Sequence, residues 1–284
     1  MIAIHPEPAP ATGTKILEAG IASDLALKTP LGIRVVSALV GSGHLREDER
    51  SQFETCFEEA IINSIVHGNQ EDPRRQVTVR AYVDGDDWQV HVIDEGEGFE
   101  LSAITDPTDP DFPWLEHGRG IHMIRHIAGG LEYWSGGRTA VIAGTCATRA
   151  GGPGPVGPVS PAQGGARSRG ELPRTTPKRS DGTVVARLLP DSAGETVTGQ
   201  IEKIAAQLGE QRPPLLVLDL SSVPYLASSG IGGLVRLAKT CLRTGSRFAI
   251  AGVSNGLQEM LSMMQLDRFI TICDCVEDAI EGVR

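Results

Sequence analysis

Glu59 and Asn63 stand four residues apart in FETCFEEAIINSIVHGN, a stretch whose apolar residues recur in steps of three and four. On a helix that spacing makes them neighbours on one face. A carboxylate can accept a proton from water or a hydroxyl, and an amide oxygen can ligate Mg2+, which prefers hard oxygen donors. Taken alone, such a pair is also what a solvated helix face carries. Further on, Asp94-Glu95-Gly96-Glu97-Gly98 follows an apolar run. Asp94 can accept a hydrogen bond from an amino group, and Gly96 and Gly98 either let backbone approach a ligand or make an ordinary turn. Gly118-Arg119-Gly120 then opens a helical pattern, leaving free amides and a positive dipole end for phosphates, with Arg119 adding charge. In the second half, Ser228 and Ser229 precede Gly230 at the start of another helical pattern, where serine is expected as a cap. The uncommon feature is the order of the first three groups, with the polar loop Asp106-Pro107-Thr108-Asp109-Pro110 between the last two.

These groups need a frame. The stripe Phe53, Cys56, Phe57, Ala60, Ile61, Ser64 and Ile65 predicts a helix over 53–65, ended by Gly68 and Asn69. Strands are expected over 77–83 and 88–93, joined by the hairpin signal Asp84-Gly85-Asp86-Asp87. A helix over 120–127 and strands over 131–134 and 140–142, turned at Gly136-Gly137, complete an α+β sandwich. Farther along, strands over 184–189, 215–220, 248–251 and 270–273 alternate with helices over 195–208, 229–242, 256–264 and 276–280. That alternation predicts an α/β domain with a mainly parallel sheet. The run LLVLDL, apolar on both faces, reads as its central strand. Between the halves, residues 149–182 are dense in Gly, Pro, Ser and Arg and hold too few large apolar groups to fold. The expected division is 1–147, a linker over 148–182, and 183–284.

The chain has 284 residues and a formal net charge of −10, which disfavours attraction to a nucleic-acid backbone but not to a small anion held by amides. Its cysteines, at 56, 146, 241, 273 and 275, are odd in number and lack a CxxC pair, so reduced thiols are expected. The opening MIAIHPEPAPATG is acidic and Pro-rich, and no apolar run approaches the ~20 residues of a membrane span, so a cytoplasmic location is expected. His122 and His126 share helical spacing, but with His117 they lack a third ligand of matching spacing. His67 is expected to hydrogen bond structurally, and Met260, Met263 and Met264 to pack a helix core.

EAIINSIVHGN, DEGEGF, and DPTDP followed by GRGIHMIR resemble the N box, first glycine box, and short lid with second glycine box of the anti-sigma-factor serine kinases of the GHKL ATPase superfamily, over about residues 15–142. The resemblance implies ATP and Mg2+, with Glu59 as general base, Asn63 as Mg2+ ligand and Asp94 as adenine contact. It also implies that Gly96, Gly98, Gly118 and Gly120 shape the nucleotide pocket and that Arg119 touches phosphate. LVLDLSSVPYLASSGIGGLVRLA and TGSRFAIAGVSNGLQEMLSMMQLDRFITI resemble STAS anti-sigma-factor antagonists, over about residues 183–283. That resemblance makes Ser228 the phosphoacceptor. Ala227 departs from the Asp usual there, and 190–194 depart from the usual turn before the first helix. The implied function is an ATP-dependent protein serine kinase and partner-switching regulator of a sigma factor. The implied partners are that sigma factor, a STAS domain in cis or in trans, a serine phosphatase and a second copy of the chain. A nucleotide-binding switch without catalysis is the alternative.

Overall fold

The computed structural model describes residues 2–100, 102, 104, 111, 119–128, 130–146, 182–190 and 196–282, which form two compact units. The first is built on a five-stranded antiparallel sheet of order β1-β2-β3-β5-β4. Its strands are β1 (Thr14–Ala22), β2 (Gln76–Asp84), β3 (Asp87–Ile93), β4 (Gly130–Trp134) and β5 (Thr139–Thr145). Three helices accompany it: α1 (Lys28–Gly41), α2 (Arg50–Asn63) and α3 (Gly120–Ala128).

Alternation decides the layers. Val77, Val79 and Ala81 on β2, and Trp88, Val90 and Val92 on β3, are buried with the stripe of α2, namely Phe53, Cys56, Phe57, Ala60 and Ile61. The Phe53 ring meets Trp88 edge-on with centroids 5.2 Å apart, and the Cys56 thiol donates to the Ile124 carbonyl of α3 at 3.8 Å. Burying a side chain of this size contributes roughly 1.5–3 kcal/mol, so the stripe fixes how α2 lies on the sheet. Asp84 pairs with Asp87 across the expected hairpin, and Gly85 takes the positive φ of +60° that the turn needs.

The helix expected over 53–65 begins at Arg50 and leaves α-geometry at Ser64. Ser64–Gly68 form a π-turn, closed by the Asn69 N–H donating to the Ser64 carbonyl at 2.8 Å. Such single wide turns often sit at functional sites. Its effect here is to deliver Gly68 and Asn69 to the end of β3.

The second unit has a four-stranded, all-parallel sheet of order β6-β7-β8-β9: β6 (Val184–Arg187), β7 (Leu215–Asp219), β8 (Arg247–Ala251) and β9 (Thr271–Cys273). Its helices are α4 (Val197–Gln211), α5 (Ser228–Thr244), α6 (Asn255–Met263) and α7 (Val276–Gly282). Leu215 and Val217 of β7 and Ala249 and Ala251 of β8 share a cluster with Ala279 and Ile280 of α7. Alternate residues Leu216, Leu218 and Ile250 are fully buried as well, so β7 and β8 are covered on both faces, as the apolar run predicts. Met260 and Met264 lie in the core. Among the described residues no helix is long and apolar enough to cross a membrane.

Candidate functional site

The first site is assembled at the C-terminal end of α2, the N-terminal end of α3 and the end of β3. Glu59, 5% exposed, lies against the first turn of α3: a Cβ placed on Gly120 would fall 1.9 Å from its Oε1. Only glycine at the start of α3 lets the carboxylate sit there, against a helix N-terminus whose dipole favours negative charge. Arg119, just before it, is 1% exposed, and its carbonyl accepts the Met123 N–H at 3.0 Å. Asn63 lies one turn beyond Glu59, and its buried Nδ2 has no hydrogen-bond partner among the described residues. A buried amide left in that state costs free energy that a bound group can recover.

Asp94 forms the other side. Its carboxylate accepts from the Gly96 N–H at 2.9 Å, and its own N–H donates to the Arg138 carbonyl at 3.0 Å. Burial pushes its carboxyl up to about 6, against the lowering effects of the Gly96 N–H, Arg138 and Arg75. Two glycines, Gly68 and Gly96, crowd against it, and a third, Gly98, packs against Gly136 farther along the same turn. A Cβ on Gly68 would fall 2.4 Å from Asp94 Cγ, one on Gly96 would fall 2.1 Å from the Gly68 carbonyl oxygen, and one on Gly98 would fall 1.9 Å from that of Gly136. Tyr133 joins the two sides: its phenol is pushed up by burial and then by the Glu59 and Asp94 carboxylates.

One residue that the sequence reading treats only as a helix terminator holds this together. Asn69, fully buried, donates from Nδ2 to Ser23 Oγ at 2.6 Å and to the Gln76 carbonyl at 2.9 Å. Its Oδ1 accepts the Glu95 N–H at 2.8 Å. One amide thus ties the end of α2 to β1, β2 and the turn that carries Asp94. The signal was a polar residue at a helix end beside glycine, which by itself is commonplace.

In the second unit, Ser228 opens α5. Ala227 takes the cap position with extended φ/ψ of −67° and 163° and makes no side-chain cap bond, while Ser229 Oγ lies 3.1 Å from Thr198 Oγ1 of α4. Ser228 is therefore the first helical residue, not the cap that a serine at this point suggests. It is half-buried, and Leu226, two residues before it, is buried in the core.

Residues 21–144 match the family described as histidine kinase-like ATPase domain, and residues 178–279 match the STAS domain family. The chain joins a histidine kinase-like ATPase domain to a STAS domain. An anti-sigma F factor of Oceanobacillus iheyensis is 29% identical over 87 residues, 30% of this chain and 60% of that protein. One of Lysinibacillus sphaericus is 43% identical over 61 residues, 21% of this chain and 42% of that protein. A Thermotoga maritima protein named "Putative anti-sigma factor antagonist" is 32% identical over 69 residues, 24% of this chain and 61% of that protein. The matches thus span 42% to 61% of these relatives' lengths.

Within the ATPase domain, the structure brings Glu59, Asn63, Arg119 and Gly120 to one end of the helix pair and Asp94, Gly96 and Gly98 to the neighbouring turn. Gly118, the loop 106–110 and His117 lie outside the described residues, as do 147–181, which hold nearly all of the expected linker. His67 is exposed on the π-turn. Residues 139–145 give β5 seven residues, all paired with β3 and 139–143 paired with β4 as well, longer than the strand expected over 140–142.

In the STAS domain, Ala227 forgoes a cap bond. Ala227→Asp should raise the domain's stability by about 1 kcal/mol, the usual value of an acidic N-cap, read as a higher denaturant midpoint at unchanged m. An unchanged midpoint would mean that the first α5 amides are already satisfied.

Proposed function

We propose that the chain is an ATP-dependent protein serine kinase that acts as a partner-switching regulator of a sigma factor. The supporting observation is the seating of the Glu59 carboxylate on the first turn of α3, one helical turn from Asn63 and across from the glycine cradle of Asp94. A nucleotide fits these residues: Asp94 accepts from the amino group of the base, and the close-packed glycines let backbone approach it. The amides at the start of α3 meet the phosphates.

Asn63 supplies a hard oxygen, so this donor set also suits Mg2+, which would neutralise phosphate charge when bound. Glu59 then orients a serine hydroxyl and takes its proton as the phosphoryl group leaves ATP, so that one phosphoserine and one ADP result. The acceptor is Ser228 of this chain, in cis or in trans, or a serine of a separate STAS protein. About two negative charges at the first turn of α5 are favoured by the helix end but alter any partner face there. The names of the relatives, anti-sigma F factor and anti-sigma factor antagonist, support the same pairing of roles. A STAS partner, a sigma factor, a phosphatase and self-association are the expected contacts, in the cytoplasm.

The test is to incubate the protein with Mg-ATP and compare phosphoserine formed with inorganic phosphate released. Phosphoserine in excess is expected. Free phosphate without phosphoserine would assign the domain to plain hydrolysis.

A further inference from the structure

Residues 2–7 lie along the outer edge of β4. Ile4 forms a parallel bridge with Tyr133, flanked by the His5 N–H donating to the Tyr133 carbonyl at 2.8 Å and the Tyr133 N–H donating to the Ala3 carbonyl at 3.0 Å. Past the strand, the Ser135 N–H donates to the Glu7 carbonyl at 2.8 Å and the Gly136 N–H to the His5 carbonyl at 3.0 Å. Ile2 is buried, and the His5 ring stacks on Trp134 with centroids 4.0 Å apart and planes at 21°. The segment is thus tied by backbone bonds at Ala3, His5 and Glu7, every second residue.

Where it is tied matters. Gly136, at φ +67°, receives the strap on its N–H, and its carbonyl accepts the Phe99 N–H at 3.1 Å. The same carbonyl oxygen is the atom that a Cβ on Gly98 would strike at 1.9 Å. Phe99 also packs edge-on against Tyr133, centroids 4.8 Å apart, and Tyr133 is the strap's pairing partner. Both routes from the strap therefore reach Phe99, and the one through Gly136 also reaches Gly98, at the far end of the turn that begins at Asp94.

We infer that residues 2–7 are a positioning strap for the nucleotide cradle. Docked on β4, they fix the Gly136 carbonyl and through it the Gly98-Phe99 backbone that the ligand approaches. The inference rests on the reading of that cradle as a nucleotide site. Coupling of this kind is reciprocal, so bound nucleotide must hold the strap as firmly as the strap holds the cradle.

The experiment compares the full chain with a chain lacking residues 2–8, and with His5→Pro, which keeps the length but removes the N–H bonded to Tyr133. Mg-ATP affinity by calorimetry should fall about five- to tenfold on deletion and less in His5→Pro, the effect of losing one or two hydrogen bonds that shape a site. The phosphorylation rate at saturating ATP should be unchanged, and a synthetic peptide of residues 2–8 should restore affinity to the shortened chain. In the full chain, exchange of the His5 and Gly136 amides should slow when Mg-ATP is added. Equal affinity in all three proteins, or exchange indifferent to ATP, overturns the strap alone. A full chain that binds no ATP removes the cradle reading and the strap together.

Discussion

Replacing Asp94 by Asn should make the protein more stable and nearly unable to hold nucleotide. Burial holds the Asp94 carboxyl at about 6, above its ordinary value near 4. A carboxyl with a raised folded value stabilises the fold below the unfolded value, and that contribution is lost as pH rises through about 6. At pH 7 to 8 the protein therefore carries a buried charge held mainly by the Gly96 N–H. Asn keeps an oxygen for that N–H and removes the charge. After allowance for solvent screening, the gain should be about 2 kcal/mol above pH 6 and should vanish below pH ~4. Denaturant titrations across that range measure it. Over the same pH values, Mg-ATP affinity should fall about 100-fold, because the charged acceptor for the base's amino group is gone. A variant that gains stability and binds normally would remove Asp94 from the nucleotide site.

Glu59→Gln should have the larger effect on turnover and little effect on binding. The amide keeps the shape that fills the space over Gly120 but cannot take a proton. Loss of a positioned base costs typically 10²–10⁴-fold in rate, so phosphoserine formation should drop by about that factor while Mg-ATP affinity holds. If affinity fell in parallel with rate, Glu59 would be a structural residue of the α2–α3 contact instead of the proton acceptor.

The parts of this site carried by periodic segments are legible in the sequence. The α2 stripe and the β2–β3 hairpin each repeat a single spacing often enough to be read, and the central parallel strand of the second unit shows as an unbroken apolar run. β1 escapes because it is an edge strand holding Lys15, Glu18 and Gly20, with burial that does not alternate cleanly. α1 is different, since Leu31, Val35, Val36 and Leu39 are all buried and do recur at helical steps. Pro30, Gly32 and three valines, weak helix formers, mask a pattern that could have been found. Asn69, Tyr133 and the strap escape for another reason. Their work lies in tertiary hydrogen bonds and ring contacts between segments far apart in the chain, for which one sequence carries no spacing. Ala227 shows the same limit: that it, and not Ser228, takes the cap depends on where the backbone turns into α5.

Within the proposed function, the form in which the kinase phosphorylates Ser228 of its own chain is the most open to test. Intact-mass spectrometry of the protein after incubation with Mg-ATP, beside Glu59→Gln and Ser228→Ala, tests it most directly. A single adduct of about +80 Da, the mass of one phosphate, should appear in the parent chain and be lost in both variants. An adduct that persists in Ser228→Ala, or none in a parent chain that binds ATP, would contradict it.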